Sequence, residues 1–448
     1  MRRIKRRLMP PAAWGIFFGL LPFAFAWTSL PTPGWKPAFE KRTLDGGLRI
    51  ILDRDESSET TVVKILVKGG RLAEPEGKTG LSFLTTRLAV EIPDDEKARA
   101  LLGMASAIEV TSQADFSLIT LGCLSSNLDP TLRILAKIIS DPLFTGFRID
   151  AIKEFMRHRS RLEQDDSAVA GHLECLKAFF ATPGYAGSIY GQDQTIKTIK
   201  GREISEFYRR YFRTGNMIVA ISSNLAEEEL IPLIERFLAG LAKGDGQAEN
   251  EVAVRRPSER TVFLRRETRQ SYVSLAYPLP AISGRGYALA CLLESILGKG
   301  PGSRLWTLRA DEQLAYNVNC RATLMAFGGI LEAYLETDAN KMEKARTELK
   351  SLLAALAENG IDHQELEMAK SVCRANFLRD NETKEGRIST LAVFEALGLG
   401  CEYFNDFQAE IKVVEVEEMN AFLRSVLDVD KAFEVVIGPE AQPRERTG

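Results

Sequence analysis

Arg309 and Tyr316 carry the most pointed chemistry in this chain of 448 residues. They stand seven positions apart in Leu308-Arg309-Ala310-Asp311-Glu312-Gln313-Leu314-Ala315-Tyr316, just after the glycine-rich run Gly298-Lys299-Gly300-Pro301-Gly302-Ser303-Arg304-Leu305. The first part of the stretch is helix-like, and Tyr316 with Val318 opens a strand-like alternation, so both side chains could point into one cleft. A guanidinium and a phenol aimed at one carbonyl oxygen suit the negative charge that develops there in acyl transfer. The competing reading is plain: Arg309 is a solvated helix residue and Tyr316 a core aromatic with a polar tip.

Other catalytic constellations are missing. Cys123, Cys175, Cys291, Cys320, Cys373 and Cys401 form no C-x-x-C and mostly sit among apolar neighbours, which reads as buried thiols, with one disulfide left open. His158, His172 and His363 are the three histidines, and none has ligand spacing with another. Lys299 is followed by Gly300, so the glycine run is not a phosphate loop. No Gly-x-Ser-x-Gly elbow occurs, and too few histidines remain for a Ser/His/Asp set. A formal net charge of −3 gives no electrostatic reason to expect nucleic acid.

The elements that must position these residues follow from periodicity. Leu48–Leu52 and Thr61–Val67 read as strands, a helix after Gly80 carries Leu81, Leu84 and Leu88, and strands recur near Ile108–Val110 and Ser117–Leu124. Leu132, Leu135, Ile138 and Ile139 mark an amphipathic helix, and another helix is expected after Asp150. After an apolar-poor stretch, 242–258, the order restarts. Ser271–Tyr277 repeats Thr61–Val67 at an offset of 210, Ile361-Asp362 repeats Ile149-Asp150 at 212, and Met419 and Phe422 repeat Ile204 and Phe207 at 215. The pattern predicts a duplicated α+β fold, two mixed-sheet-plus-helices domains of about 200 residues each, at 39–241 and 259–440, with a tail at 441–448. Aligning Ala315-Tyr316-Asn317-Val318 on Ala107-Ile108-Glu109-Val110 puts Ile108 opposite Tyr316 and Leu101 opposite Arg309, so the first half does without this pair.

Ser303-Arg304-Leu305, Leu308-Arg309 and Glu312-Gln313-Leu314-Ala315-Tyr316 resemble the second-half signature of the insulinase/pitrilysin metallopeptidase family. The resemblance extends over about 400 residues and implies two homologous halves. It also implies that Arg309 and Tyr316 hold a substrate carbonyl and its tetrahedral intermediate. The glycine run resembles the mobile glycine loop of the non-zinc subunits of mitochondrial processing peptidase, which makes Gly300, Gly302 and Ser303 candidate substrate contacts. A tight helix-to-helix turn is the equally open alternative. Active members carry His-x-x-Glu-His on the first helix of the first half. Here Gly69-Gly70-Arg71 and Gly80-Leu81-Ser82 keep the surrounding text, but Phe83, Thr86 and Arg87 occupy the motif positions. A phenyl ring offers no lone pair and a guanidinium repels a dication, so no zinc and no other cofactor is expected in this chain. The third ligand position falls near His158 to Glu163, where Glu163 alone could serve. The resemblance therefore implies a non-zinc subunit of a heteromeric zinc peptidase, inactive alone, with a zinc-bearing sibling as partner and a peptide as substrate. A catalytically inert scaffold or peptide-binding protein is the alternative.

Arg2, Arg3, Lys5, Arg6 and Arg7, an apolar run from Ala12 to Trp27, and Ala24-Phe25-Ala26 have the layout of a secretory signal peptide at 1–26, followed by a proline-rich leader at 27–38. Export to a periplasm-like compartment is expected. An uncleaved membrane anchor and a mitochondrial presequence are the competing readings.

Overall fold

The computed structural model describes residues 37–245, 252–254, 257, 259–310 and 312–439. The expected signal peptide, most of the leader, much of 242–258 and the tail lie outside the described residues. Among the described residues no helix is long and apolar enough to cross a membrane.

The first half runs β1 (Phe39–Thr43), β2 (Arg49–Arg54), β3 (Thr60–Lys68), α1 (Leu81–Ala89), α2 (Asp95–Gly103), β4 (Ala107–Ser112), β5 (Phe116–Leu124), α3 (Leu128–Ser140), α4 (Gly146–Asp165), α5 (Ser167–Phe179), α6 (Pro183–Ala186), α7 (Asp193–Thr198), α8 (Gly201–Tyr211), β6 (Met217–Ser223) and α9 (Glu227–Leu238). The second runs β7 (Thr261–Arg265), β8 (Gln270–Leu279), α10 (Gly284–Gly298), α11 (Trp306–Ala310), β9 (Asn317–Met325), β10 (Gly328–Asp338), α12 (Met342–Asn359), α13 (His363–Asp380), α14 (Lys384–Ala396), α15 (Tyr403–Lys412), α16 (Val416–Val426) and β11 (Phe433–Gly438).

The strands form a six-stranded sheet, β1-β2-β6-β3-β5-β4, and a five-stranded sheet, β7-β11-β8-β10-β9. Each has one parallel pair, β2 with β6 and β7 with β11, among antiparallel ones. Every residue of β6 and of β11 is buried, which explains the apolar runs Met217–Ile221 and Val435–Ile437 within them: both faces of a central strand are covered. The repeat appears in the pairing itself. Ile65 lies opposite Val219 in one sheet, and Leu275 lies opposite Glu434 in the other, which preserves the offsets of 210 and 215. Helices α8 and α16 keep the same offset, with Ile204 and Met419 as fully buried counterparts.

Two expectations move. Helix α4 begins at Gly146, after Thr145 in extended conformation, so Asp150 lies inside it rather than before it. The matching entry points are Thr145 and Asp362, 217 residues apart (362 − 145), and the caps of α5 and α14, Asp166 and Thr383, share that spacing. The counterpart of Tyr316 also changes. Ile65 pairs with Ile119 and Leu121 with Ile108, while Leu275 pairs with Ala333 and Leu335 with Val318. Ile108 therefore matches Val318, and Ser106 stands where Tyr316 would be. A slip of two residues keeps every side chain on its face, so alternation alone could not detect it.

The halves are not independent domains; residues from Pro37 onward form one compact unit. Helix α14 of the second half lies on β6, β3 and β2 of the first, and α5 of the first half lies on β11, β8 and β10 of the second. The two are counterparts, so each half lends the same helix to the other's sheet. One core cluster accordingly joins Ile51, Leu66 and Ile218 to the second-half helices, and another joins Cys175, Leu176 and Phe179 to Val435 and Ile437.

Candidate functional site

Helix α1 sets the position where a zinc motif would lie. Its N-terminus is fixed by Glu74, whose carboxylate accepts from the Gly80 N–H (3.1 Å) and from the Ser82 N–H and Oγ (2.8 Å each). Gly80 has φ +96°, and a Cβ there would meet the Tyr190 carbonyl oxygen at 2.7 Å, so glycine is required. One turn on, Phe83 is buried and its ring lies edge-on to Tyr190 (centroids 5.0 Å) and stacked on Phe155 (6.3 Å). The Arg159 guanidinium lies over the Tyr190 ring, 5.5 Å from its centroid. Thr86 is fully buried, and its Oγ1 has no hydrogen-bond partner. Arg87 is engaged by Glu91 at 2.7 Å, four residues along the helix. An aromatic cluster, one neutral hydroxyl and a paired cation do not fit zinc, which needs two or three imidazole, thiolate or carboxylate donors converging on one point.

Glu163 does not repair the set. It lies eight residues, about two turns, beyond Phe155 on α4 and accepts from the Ser188 hydroxyl. Burial raises its pKa, while Ser188, Arg71 and Arg159 oppose that rise. With Arg71 and His172 it lines a cavity of about 410 Å³ in the seam between the halves. His158 and His363 are exposed, and His172 bonds Glu332, so the histidines do not converge. Glu395, Cys401 and Glu402 bring ligand atoms within 4.8 Å of one another. Lys41 and Arg49 already neutralise that group, however, and the Cys401 thiol, buried, is pushed up to about 12.

The second-half residues are more accessible. Gly300 (φ +88°) and Gly302 (φ +93°) shape a turn that Ser303 closes, its Oγ donating to the Gly300 carbonyl at 2.7 Å. Arg304 then clamps Glu365 of α13 with two 2.6 Å bonds. Gly302, Ser303, Arg304, Trp306 and Met368 line an open groove of about 450 Å³. Arg309 is exposed on the five-residue α11, with its guanidinium 4.8 Å above the ring of Trp306, which lines that groove.

Tyr316 is 56% exposed just before β9. Its backbone N–H donates to Glu336 and its hydroxyl to Asp338 Oδ1, both at 2.9 Å. The hydrogen bond to Asp338 raises the phenol's pKa, so the group stays a neutral donor. Lys341 braces the turn by pairing with Asp338 (3.4 Å) and donating to the Gln313 carbonyl (3.2 Å). Gln313 itself takes φ +49°. Among the described residues Arg309 and Tyr316 do not contact each other; each has its own partner. Sequence reasoning passed over both partners. Trp306, three residues before Arg309 on a helix, was readable from spacing; Asp338, 22 residues beyond Tyr316, was not.

Two interlocked repeats, a first helix whose residues do not fit zinc and an exposed Arg and Tyr in the second half define a peptidase-like shell. The family model "Insulinase (Peptidase family M16)" matches residues 49–183, and "Peptidase M16 inactive domain" matches residues 198–373. The chain belongs to the insulinase (M16) peptidase family. It is 22% identical to the "Non-peptidase homolog YmxG" of Helicobacter pylori, over 84% of this chain and 88% of that one. To the "Uncharacterized zinc protease Mb2805c" of Mycobacterium bovis it is 24% identical, over 90% and 94%. Among solved structures, a peptidase M16 inactive domain from Pseudomonas fluorescens has the same fold, with a TM-score of 0.82 at 22% identity over 90% of this chain and 98% of that one.

Proposed function

We propose that this chain is the non-zinc subunit of a heteromeric insulinase-family peptidase, in which a partner carries His-x-x-Glu-His and this chain holds the peptide. The supporting observation is a division within the molecule. Phe83, Phe155 and Tyr190 fill the place of a metal with rings, while Arg309 and a neutral Tyr316 remain open to solvent. In the assembly, Arg309 and Tyr316 face the partner's metal and donate to the scissile carbonyl as its oxygen becomes anionic, while the partner activates water. The phenol has one proton, so it must turn from Asp338 to the substrate to do this. The peptide lies extended beside an unpaired edge strand, either β4 or β9.

The chain alone should hold no stoichiometric zinc and cleave no peptide, and mixing with a zinc-bearing sibling should restore cleavage. Arg309→Ala and Tyr316→Phe should each lower the turnover of that mixture by roughly 10²–10³. Unchanged turnover in both would remove the assigned roles. The second reading, an inert scaffold or peptide-binding protein, is favoured by one observation: Trp306 and Asp338 give Arg309 and Tyr316 structural occupations. Cleavage that the sibling performs equally well without this chain would support it.

A further inference from the structure

Helices α10 and α13 lie side by side in the second half. They run antiparallel. Ser295 and Ala369 share a small void at one end, and at the other Tyr287 and Phe377 both pack on Phe407. Small side chains along this seam let the two backbones approach closely. In an antiparallel pair, the residue one turn before Ser295 faces the residue one turn after Ala369. Those residues are Cys291 and Cys373. Both thiols are free, Cys373 is buried, and Cys291 is partly accessible. The facing Cys373 thiol, together with burial, holds Cys291 well above the usual thiol range. Cys123, Cys175, Cys320 and Cys401 stand off this helix pair, on or beside β5, α5, β9 and α15.

We infer that Cys291 and Cys373 form a disulfide that staples α10 to α13 when the chain meets an oxidising thiol–disulfide pool. The oxidant is a small or protein disulfide such as oxidised glutathione. The Cys291 thiolate attacks one of its sulfurs, forming a mixed disulfide and expelling one thiolate. The Cys373 thiolate then attacks the Cys291 sulfur, closing the bond and releasing the second. Two protein thiols are oxidised, one external disulfide is reduced to two thiols, and the two protons pass to the departing sulfurs.

The bond would have a consequence for the candidate site. The chain between residues 291 and 373 contains the glycine turn, α11, Arg309 and Tyr316, and α13 also carries Glu365 and Met368 against that turn. The staple fixes the platform on which the groove is built.

The test uses the full reduced chain incubated with oxidised glutathione, both in buffer and in enough denaturant to admit the reagent, then unfolded for thiol counting. The inference expects two fewer than six free thiols, the loss of two hydrogens in mass, and one linked peptide pair containing Cys291 and Cys373. It also expects a higher midpoint of thermal unfolding that falls back on reduction. Cys291→Ser and Cys373→Ser should each retain five thiols under the same treatment. Six thiols under both conditions, or a bond to Cys123, Cys175, Cys320 or Cys401 instead, would overturn it. So would a linked pair with no change in the unfolding midpoint, since the staple would then constrain nothing.

Discussion

The two lent helices occupy equivalent places but are wired to very different extents. On the first-half sheet, α14 supplies charges of both signs: Glu385 pairs with Lys64 (2.9 Å), Glu395 with Lys41 (3.2 Å) and Arg49 (3.1 Å), and two cations come from the same helix. Arg387 donates to Asp53 (2.8 Å) and also binds Asp55, while Lys384 donates to the carbonyls of Ser58 and Thr60 (2.8 Å each). On the second-half sheet the central charge is an anion belonging to the sheet itself. Glu332, fully buried, accepts from Tyr272 (2.7 Å) and Arg321 (2.7 Å) of its own half, and from α5 it accepts from His172 (2.8 Å) and the Cys175 thiol (3.7 Å). The first seam therefore depends on a helix for its charge balance. The second is nearly satisfied before its helix arrives. Duplication fixed where the helices go; the chemistry holding them was settled separately in each half.

Arg387→Ala should break the comparison most sharply. It leaves Asp53 buried without its guanidinium and should cost about 3–5 kcal/mol, read by chemical denaturation. Glu332→Gln should cost less, about 2 kcal/mol near neutral pH, because the amide oxygen still accepts from Tyr272. This variant also tests a pH dependence. Burial alone would raise the Glu332 carboxyl, but His172, Arg321 and Tyr272 outweigh burial and hold it at about 2, against an ordinary 4.5. A depressed acid contributes stability that is present above its unfolded value and is lost as pH falls towards its folded one. Wild-type stability should thus decline between pH 4.5 and 2 with a component that Glu332→Gln lacks. Equal slopes in the two proteins would contradict this. His172→Ala should cost only about 1 kcal/mol, since Glu332 keeps its own-half donors. The smallest effect concerns the surface: Asp338→Asn should bring the Tyr316 phenol titration, followed by NMR, downward.

Much of the architecture was legible because it is local. Leu132, Leu135, Ile138 and Ile139 sit at helical spacing and are all buried on α3, and the offsets of 210 and 215 survive in the strand pairing. What escaped was long-range. Nothing in Ser167–Phe179 says which sheet it will cover, and its buried face is equally suited to either. The start of α4 was misplaced because Asp150 imitates a cap that Thr145 occupies. At the candidate site, the loss of metal donors at Phe83, Thr86 and Arg87 could be read directly. The aromatic cluster around Phe83 depends on Phe155 and Tyr190, which lie far away in sequence.

The lending of α5 and α14 carries an evolutionary consequence. A single ancestral repeat could not have kept its own helix on its own sheet in this arrangement, and would have existed as a pair of chains with swapped arms. The present polypeptide reads as that pair fused end to end. If it were cut between residues 245 and 252, each fragment would expose one face of its sheet. Neither piece should be soluble alone, and the two should refold together as complementing fragments.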